Sequence, residues 1–307
     1  MRVLVTGASG FVGSHQVRVL RDRGDDVIAW GLGALVPGVT VVDMTDRAQV
    51  QSHDLRSVDT VIHLAGLAQV AGSFDRPAAY VCANASMQVN LMEALLKQRS
   101  TARVLVISTG AVYAGGSQLV TEESPIRAAN PYVISKLTQE HLAAYYLERG
   151  LDVIIARPFN HTGPGQPRGY LVPDLASQLA ALELSGGGQL HVGNLATSRD
   201  FTDVRDVAAA YVELLASGRR GHTYNVCSGA TRSARELIEE LLGLVGASIE
   251  VIEDPSLRRP TDTARVRASN AKLYADTGFK PSIPISVTLA DTLDYWRQQL
   301  AGESGTD

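Results

Sequence analysis

The chain is poor in cysteine: Cys82 and Cys227 are the only two among 307 residues. They make no metal-binding spacing and read as buried free thiols in a reducing compartment, not as a disulfide. Basic charge is not in excess, since 28 Lys and Arg stand against 32 Asp and Glu for a formal net charge of −4. That balance gives no electrostatic footprint for nucleic acid or for an anionic membrane. No apolar run is long enough to span a bilayer, and no signal-peptide pattern precedes the first strand. The cytoplasm is the expected location. Repeats and low-complexity segments are absent as well. What remains is 45% hydrophobic and 20% charged, the composition of a soluble globular protein with one large core or two unequal ones.

Short apolar, β-branched runs alternate with helical stretches. The runs are Arg2 to Thr6, Val27 to Trp30, Val39 to Val42, Thr60 to Leu64, Arg103 to Ile107 and Val153 to Arg157. Nearly continuous apolar character is expected of strands buried on both faces of a parallel sheet. Helical stretches such as Met87 to Lys97 and Tyr132 to Arg149 would cover those faces. The pattern predicts an α/β fold with a doubly wound parallel sheet, its ligand at the carboxyl ends of the strands. After Pro158 the pattern changes. Asn160 to Gly169 is rich in Gly and Pro, Val172 to Leu184 is helical, and Ser185 to Gly188 breaks that helix. Helices are expected again over Ala234 to Val245 and Ser286 to Leu300. This predicts a smaller mixed α/β substrate domain, interleaved with the first. Residues 1–158 and about 201–227 would form the dinucleotide domain, with Tyr224 to Val226 returning as a strand of the main sheet. Residues 159–200 and about 228–301 would form the substrate domain, and 302–307 a disordered tail.

Two motifs carry chemistry. The first strand runs into Gly7-Ala8-Ser9-Gly10-Phe11-Val12-Gly13, a glycine turn that opens a helix. Such a turn lets backbone N–H groups approach a pyrophosphate at the helix N-terminus. Tyr132 and Lys136 lie four residues apart, hence on one helix face. An ammonium there lowers the phenol's pKa and makes it a usable acid or base. Together, in this order, the motifs point to a nicotinamide-dependent enzyme with no metal.

With Thr6 ahead of that turn, the pattern resembles the fingerprint of the extended short-chain dehydrogenase/reductase family, whose fold is the Rossmann sheet. The resemblance extends over nearly the whole chain. It includes His63-Leu64-Ala65-Gly66, Asn84, Ser108-Thr109, Tyr132 with Lys136, and Arg157-Pro158-Phe159-Asn160. It implies that Thr109, Tyr132 and Lys136 are catalytic. It further implies cofactor contacts from Gly7, Ser9, Gly10, Phe11, Val12, Gly13, Asp43, Met44, Leu64, Ala65, Gly66, Tyr132, Lys136 and Pro158. Asn160, Val172, Arg199, Arg259 and Asp262 would bind substrate, the two arginines at its diphosphate. As isolated residues, Arg199 and Arg259 read as surface ion-pair partners, His63 as a satisfied core or rim histidine and His161 as a loop residue.

Missing residues narrow the reaction the resemblance implies. In the family's 4,6-dehydratases the catalytic Thr precedes an acid pair, whereas Gly110-Ala111 follows Thr109. Members that epimerise before reduction use a Cys near this point, where Ala111 stands. Hydride transfer at one carbon remains. Residues 156–166, Val192 to Leu195 and Tyr224 to Gly229 resemble the branch that reduces GDP-4-keto-6-deoxy-D-mannose to GDP-D-rhamnose, and a sibling branch gives the 6-deoxy-talose epimer. The alternatives are a nucleotide-sugar 4-epimerase with tightly held NAD and a non-catalytic cofactor-sensing protein. Trp30-Gly31 at the end of the second strand carries no acid for a ribose 2′-hydroxyl, and no cation follows in 32–42 for a 2′-phosphate. NADP(H) is slightly favoured over NAD(H). A homodimer through a four-helix bundle is expected, with Leu137, Leu142, Ala143, Tyr146 and Leu147 as its apolar residues.

Overall fold

A computed structural model of the chain describes residues 1–33, 38–114, 119–257 and 266–303. Its first half alternates strand and helix: β1 (Arg2–Thr6), α1 (Phe11–Asp22), β2 (Asp26–Gly31), β3 (Thr40–Val41), α2 (Arg47–Ser52) and β4 (Thr60–His63). There follow α3 (Val70–Asp75), α4 (Pro77–Lys97), β5 (Arg103–Ile107), β6 (Leu119–Val120), α5 (Pro131–Glu148) and β7 (Asp152–Pro158). The second half holds β8 (Asn160–Thr162), α6 (Leu171–Leu184), β9 (Gly187–Val192), β10 (Ser198–Asp203), α7 (Val204–Ser217), β11 (Thr223–Val226) and β12 (Thr231–Ser233). It ends with α8 (Ala234–Leu242), β13 (Ser248–Glu253), β14 (Arg267–Ala268), α9 (Ala271–Thr277) and α10 (Ile285–Glu303).

Seven parallel strands form the main sheet in the order β11-β7-β5-β4-β1-β2-β3. Winding reverses between β1 and β4, which opens a crevice at their carboxyl ends. The inner strands are apolar on both faces because both faces are covered: Val3, Leu4, Val5, Val61, Ile62, Val104 and Leu105 are fully buried. One face packs on α1 and α7 through Val17, Leu20, Val207 and Tyr211. The other packs on α4 and α5 through Leu91, Leu95, Ala143 and Tyr146. A smaller core gathers Leu175, Leu179, Leu190, Leu237, Leu241 and Leu289 from α6, β9, α8 and α10. β11 joins the sheet beside β7, in register Tyr224 to Ala156, as the sequence predicts.

Several expectations need correction. Cys227 is buried and free, but Cys82 is exposed, because it lies on the outer side of α4. α10 runs through Glu303, so the helix takes in Gly302, which the sequence reading assigns to the tail. Gly187 and Gly188 are not merely a break after α6; they begin β9, paired with Ser248 and Ile249. Of the residues expected to face a partner, Ala143 and Tyr146 are buried in the sheet-side core, and Leu137 packs against the cluster around Tyr132. The exposed large apolar residues of α5 are Ile134 and Tyr145. Among the described residues, no helix is long and apolar enough to cross a membrane.

Candidate active site

The glycine turn between β1 and α1 is packed backbone against backbone. Gly7 has φ +70°, and a Cβ there would stand 2.8 Å from the Ala65 nitrogen and the Leu64 carbonyl carbon. A Cβ on Gly13 would stand 2.1 Å from the Gly7 oxygen. Only glycine fits at either position. No side chain caps α1, whose N-cap is Gly10, so its first-turn N–H groups are left for an anion. Beyond the turn, His63 is fully buried at the end of β4. Its Nδ1 shares a hydrogen bond with Thr6 Oγ1 at 2.9 Å, and its Nε2 has no partner. Burial, aided by the Lys136 charge, pushes its pKa down to about 3, so the ring is neutral. An uncapped helix, a cradle that a methyl group would fill and an orphaned polar nitrogen in one crevice fit a dinucleotide.

Tyr132 sits in the first turn of α5. Asn130 caps that helix, its side chain accepting from the Val133 N–H at 2.9 Å, and Pro131 starts it. The Thr109 side chain lies beside the Tyr132 hydroxyl, close enough to oppose the rise of its pKa. Thr109 lies just beyond β5 and accepts from the Ala111 N–H at 3.2 Å. Lys136 follows one helical turn after Tyr132. Its Nζ donates to the Ile107 carbonyl and to Gln139 Oε1, both at 2.9 Å. Asn84 on α4 ties the end of β4 to this helix: its Oδ1 accepts from the Leu67 N–H at 2.7 Å, and its Nδ2 donates to Ser135 Oγ at 2.9 Å. A Cβ on Gly66 would meet Asn84 Oδ1 at 3.3 Å and Lys136 Nζ at 3.7 Å. Thr109, Tyr132, Lys136, Gly66 and the glycine turn therefore share one crevice.

Protonation differs from the expectation in one respect. Tyr132 is 8% exposed, and burial pushes its pKa up to about 12 against the opposing Thr109 hydrogen bond. Lys136 is 7% exposed, and burial brings it down to about 8 against the opposing charge of Glu140. Ile107 and Gln139 anchor the ammonium, and desolvation dominates the phenol. At neutral pH Tyr132 is a protonated donor and Lys136 is largely charged.

Behind these residues lies a polar network that the sequence reading did not anticipate. Arg157 donates to both Glu140 oxygens, at 2.8 and 2.7 Å. Ser108 Oγ donates to Glu140 at 2.5 Å, Arg157 reaches the Tyr113 hydroxyl at 3.0 Å, and Tyr113 donates to Asn225 at 2.6 Å. The available signal was spacing: Tyr132, Lys136 and Glu140 recur every four residues along α5. Arg157 thus anchors the site and does not line it. Phe159 stacks on Tyr113 with ring centroids 6.0 Å apart. The same ring covers Gly110, where a Cβ would lie 2.8 Å from it.

Other expected residues fall as follows. Ser9 Oγ accepts from the Gly33 N–H at 3.4 Å, beside the end of β2. The Thr45 hydroxyl and N–H hold the Asp43 carboxyl below its usual range, and Met44 is buried against the sheet. Pro158 is buried at the end of β7, and Asn160 is exposed at the start of β8. Val172 is 1% exposed with its side chain in the smaller core, in the first turn of α6, which no side chain caps. Arg199 is half-buried on β10, its guanidinium donating to the Ser198 carbonyl at 3.0 Å. His161 stacks on Phe11 at 6.2 Å and bonds the Phe159 carbonyl. Arg259 and Asp262 lie outside the described residues. Among the described residues, no cluster of His, Cys, Asp and Glu could hold a metal ion.

Comparison with known proteins gives consistent relatives. The model of the NAD dependent epimerase/dehydratase family matches residues 3–227. GDP-6-deoxy-D-mannose reductase of Pseudomonas aeruginosa is 37% identical over 98% of this chain and 99% of that protein. The GDP-6-deoxy-D-talose 4-dehydrogenase of Aggregatibacter actinomycetemcomitans is 28% identical over 89% of this chain and 90% of its own length. Among solved structures, RMD from Pseudomonas aeruginosa complexed with NADPH aligns with a TM-score of 0.88 at 35% identity, covering 97% of this chain and 99% of that one.

Two outcomes follow from the geometry. The kcat/KM profile reports groups of the free enzyme. Lys136 loses its charge as pH rises through about 8, so kcat/KM should fall there, whereas Tyr132 keeps its proton to about 12. A profile flat to pH 10 would remove Lys136 from this role. The second outcome concerns Glu140, paired with Arg157 where both side chains are nearly buried. Glu140→Ala leaves a buried guanidinium without its partner and should destabilise the fold by about 3–5 kcal/mol. An unchanged denaturant midpoint would show the pair to be exposed in solution.

Proposed function

The chain belongs to the NAD dependent epimerase/dehydratase family, and from that premise we propose that it is a nucleotide-sugar reductase. It reduces the 4-keto group of GDP-4-keto-6-deoxy-D-mannose with NAD(P)H, giving GDP-D-rhamnose. NADPH is the preferred cofactor, a reading supported by the NADPH complex of the similar Pseudomonas aeruginosa structure. The observation that carries the reductive reading is the protonation state of Tyr132. A buried phenol pushed up to about 12 beside the Thr109 side chain is a neutral acid at pH 7, suited to giving a proton to a developing alkoxide.

The bound cofactor supplies hydride to C4 of the sugar. Tyr132 gives its phenolic proton to the C4 oxygen, and the Thr109 hydroxyl holds that oxygen in line. Lys136 offers its charge to the developing phenolate and to the ribose hydroxyls. Gly7, Gly10 and Gly13 keep side chains away from the pyrophosphate, and the N–H groups of Phe11 and Val12 meet it. Leu64, Ala65 and Gly66 wall the nicotinamide ribose. Gly110 and Ala111 carry no proton, so nothing beside Thr109 removes water across C5 and C6. Asn160 and the first turn of α6 at Val172 meet the sugar nucleotide, and Arg199 its diphosphate.

The direct test adds NADPH and the keto sugar to purified protein and follows NADPH oxidation, with product stereochemistry read by NMR. Turnover giving the rhamno product is expected. In the same assay, Tyr132→Phe should lower kcat by a factor on the order of 10²–10⁴ with cofactor affinity kept. A wild type that interconverts 4-epimers without consuming NADPH would replace this reading with the epimerase one. For the nucleotide end, Arg199→Ala should raise KM about ten- to a hundredfold with a smaller effect on kcat, since a diphosphate is bound alike in ground and transition states. Equal losses of cofactor and sugar-nucleotide affinity would instead make Arg199 structural.

A further inference from the structure

Between α4 and α5, behind Lys136, runs a seam of buried amides. Asn84 and Gln88 on α4 are fully buried, and Gln139 on α5 is 1% exposed. The rest of that contact is largely apolar, with Leu91 and Leu95 on α4 and Ala143 and Tyr146 on α5. A glutamine taken out of water there is unfavourable unless its amide is hydrogen-bonded. Gln139 is held from both sides. Its Oε1 accepts from Lys136 Nζ at 2.9 Å, and its Nε2 donates to the Asn84 carbonyl at 3.3 Å. Its own carbonyl accepts from Gln88 Nε2 at 2.8 Å, which fixes the backbone from which the side chain reaches.

These partners leave the amide one orientation. Flipped, its NH₂ would face an ammonium and its oxygen a carbonyl, both repulsive contacts. The ordered amide in turn orders Lys136. An ammonium carries three donors on a tetrahedral nitrogen. Held by the Ile107 carbonyl alone, it could turn about that bond; with Gln139 as a second acceptor, also at 2.9 Å, it cannot. The direction of the third N–H is then set. Nζ stands 3.7 Å from where a Cβ on Gly66 would be, so the nitrogen borders the crevice that holds Tyr132 and Thr109. The titratable groups facing it are Glu140, one turn on along α5, and His63 on β4, with Tyr132 one turn before it. His63 is neutral, and Glu140 is engaged by Arg157 of β7 and by Ser108. The side chain that touches the ammonium is therefore an uncharged one.

We propose that Gln139 is the positioning residue for Lys136, aiming the third N–H of the ammonium into the crevice without neutralising its charge. The proposal rests on the reading of Lys136 as a catalytic group of a reductase. An amide oxygen accepts well from an ammonium but brings no net charge to cancel it. A carboxylate at the same place would pair with Lys136 and weaken the field that steadies a phenolate as the Tyr132 proton leaves.

The test titrates Lys136 directly, by NMR of protein labelled with carbon-13 at the lysine Cε, without cofactor or sugar nucleotide. The chain has four lysines, Lys97, Lys136, Lys272 and Lys280, and Lys136→Arg identifies the signal by its loss. In the wild type, burial brings Lys136 down to about 8. Gln139→Leu removes an acceptor from the charged form and should lower that midpoint by about one unit. Gln139→Glu keeps the shape, adds an opposite charge and should raise it by about one unit or more. The basic limb of kcat/KM should move with each midpoint. At neutral pH, Gln139→Glu should lower kcat about tenfold with KM for the sugar nucleotide nearly kept, since the charge is needed as the phenolate develops. A Lys136 midpoint that stays put in both variants overturns the proposal, and a fall in thermal stability alone would make Gln139 a packing residue only. Gln139→Glu is isosteric, so the test holds even where Gln139→Leu fails to fold. Midpoints that move while the kcat/KM limb does not would overturn the catalytic reading of Lys136 and support the placement of its ammonium by Gln139, so the two failures are distinguishable.

Discussion

The pairing of Glu140 with Arg157 is the constraint on which the site depends. Glu140 belongs to α5 and Arg157 to β7, and Ser108 at the end of β5 joins the same carboxylate. Three elements that carry Tyr132, Thr109 and the turn into β8 are thereby locked to one another. The Tyr113 hydroxyl and Asn225 extend the lock to β11. A buried ion pair contributes little net stability beside the apolar sheet, because desolvation offsets most of its attraction. Its contribution here is directional. Apolar packing alone leaves α5 free to slide on the sheet by fractions of a turn, whereas a two-pronged guanidinium bond does not.

That lock explains how one cause moves two pKa values in opposite directions. The helix is held against the sheet tightly enough to exclude water, and exclusion favours the uncharged form of each group. For Tyr132 the uncharged form is the acid, and for Lys136 it is the base. The Ile107 carbonyl and Gln139 offset part of the cost for Lys136.

Much of this was legible in the sequence. Parallel strands covered on both faces must be apolar throughout, so β1, β4, β5 and β7 stand out as continuous runs. The glycine turn and the Tyr132–Lys136 spacing are local, and local patterns survive into structure. The return of Tyr224 to Val226 as an edge of the main sheet was legible for the same reason. What escaped depends on partners distant in the chain. The Glu140–Arg157 pair spans 17 residues, and nothing about either residue alone announces it. Cysteine is by nature a buried residue, but helix rotation, which no short window fixes, turns Cys82 outward. Leu137, Ala143 and Tyr146 have the composition of a partner surface, yet the packing of α5 on α4 and the sheet takes them inward. The direction of the Tyr132 shift required knowing how dry its crevice is.

The ring of Phe159 over Gly110 has a consequence for how this chemistry can change by descent. A dehydratase of this family carries an acid immediately after its catalytic Thr. In this chain the first atom of any side chain at position 110 would meet that ring at 2.8 Å. Acquiring an acid there therefore requires Phe159 to yield beforehand, and Phe159 is itself stacked on Tyr113, which bonds Arg157. The shortest mutational route to elimination chemistry passes through a change that loosens the site before it adds anything to it. Selection for activity at every step would close that route, so the present reaction is insulated from its neighbour by the order in which substitutions can occur.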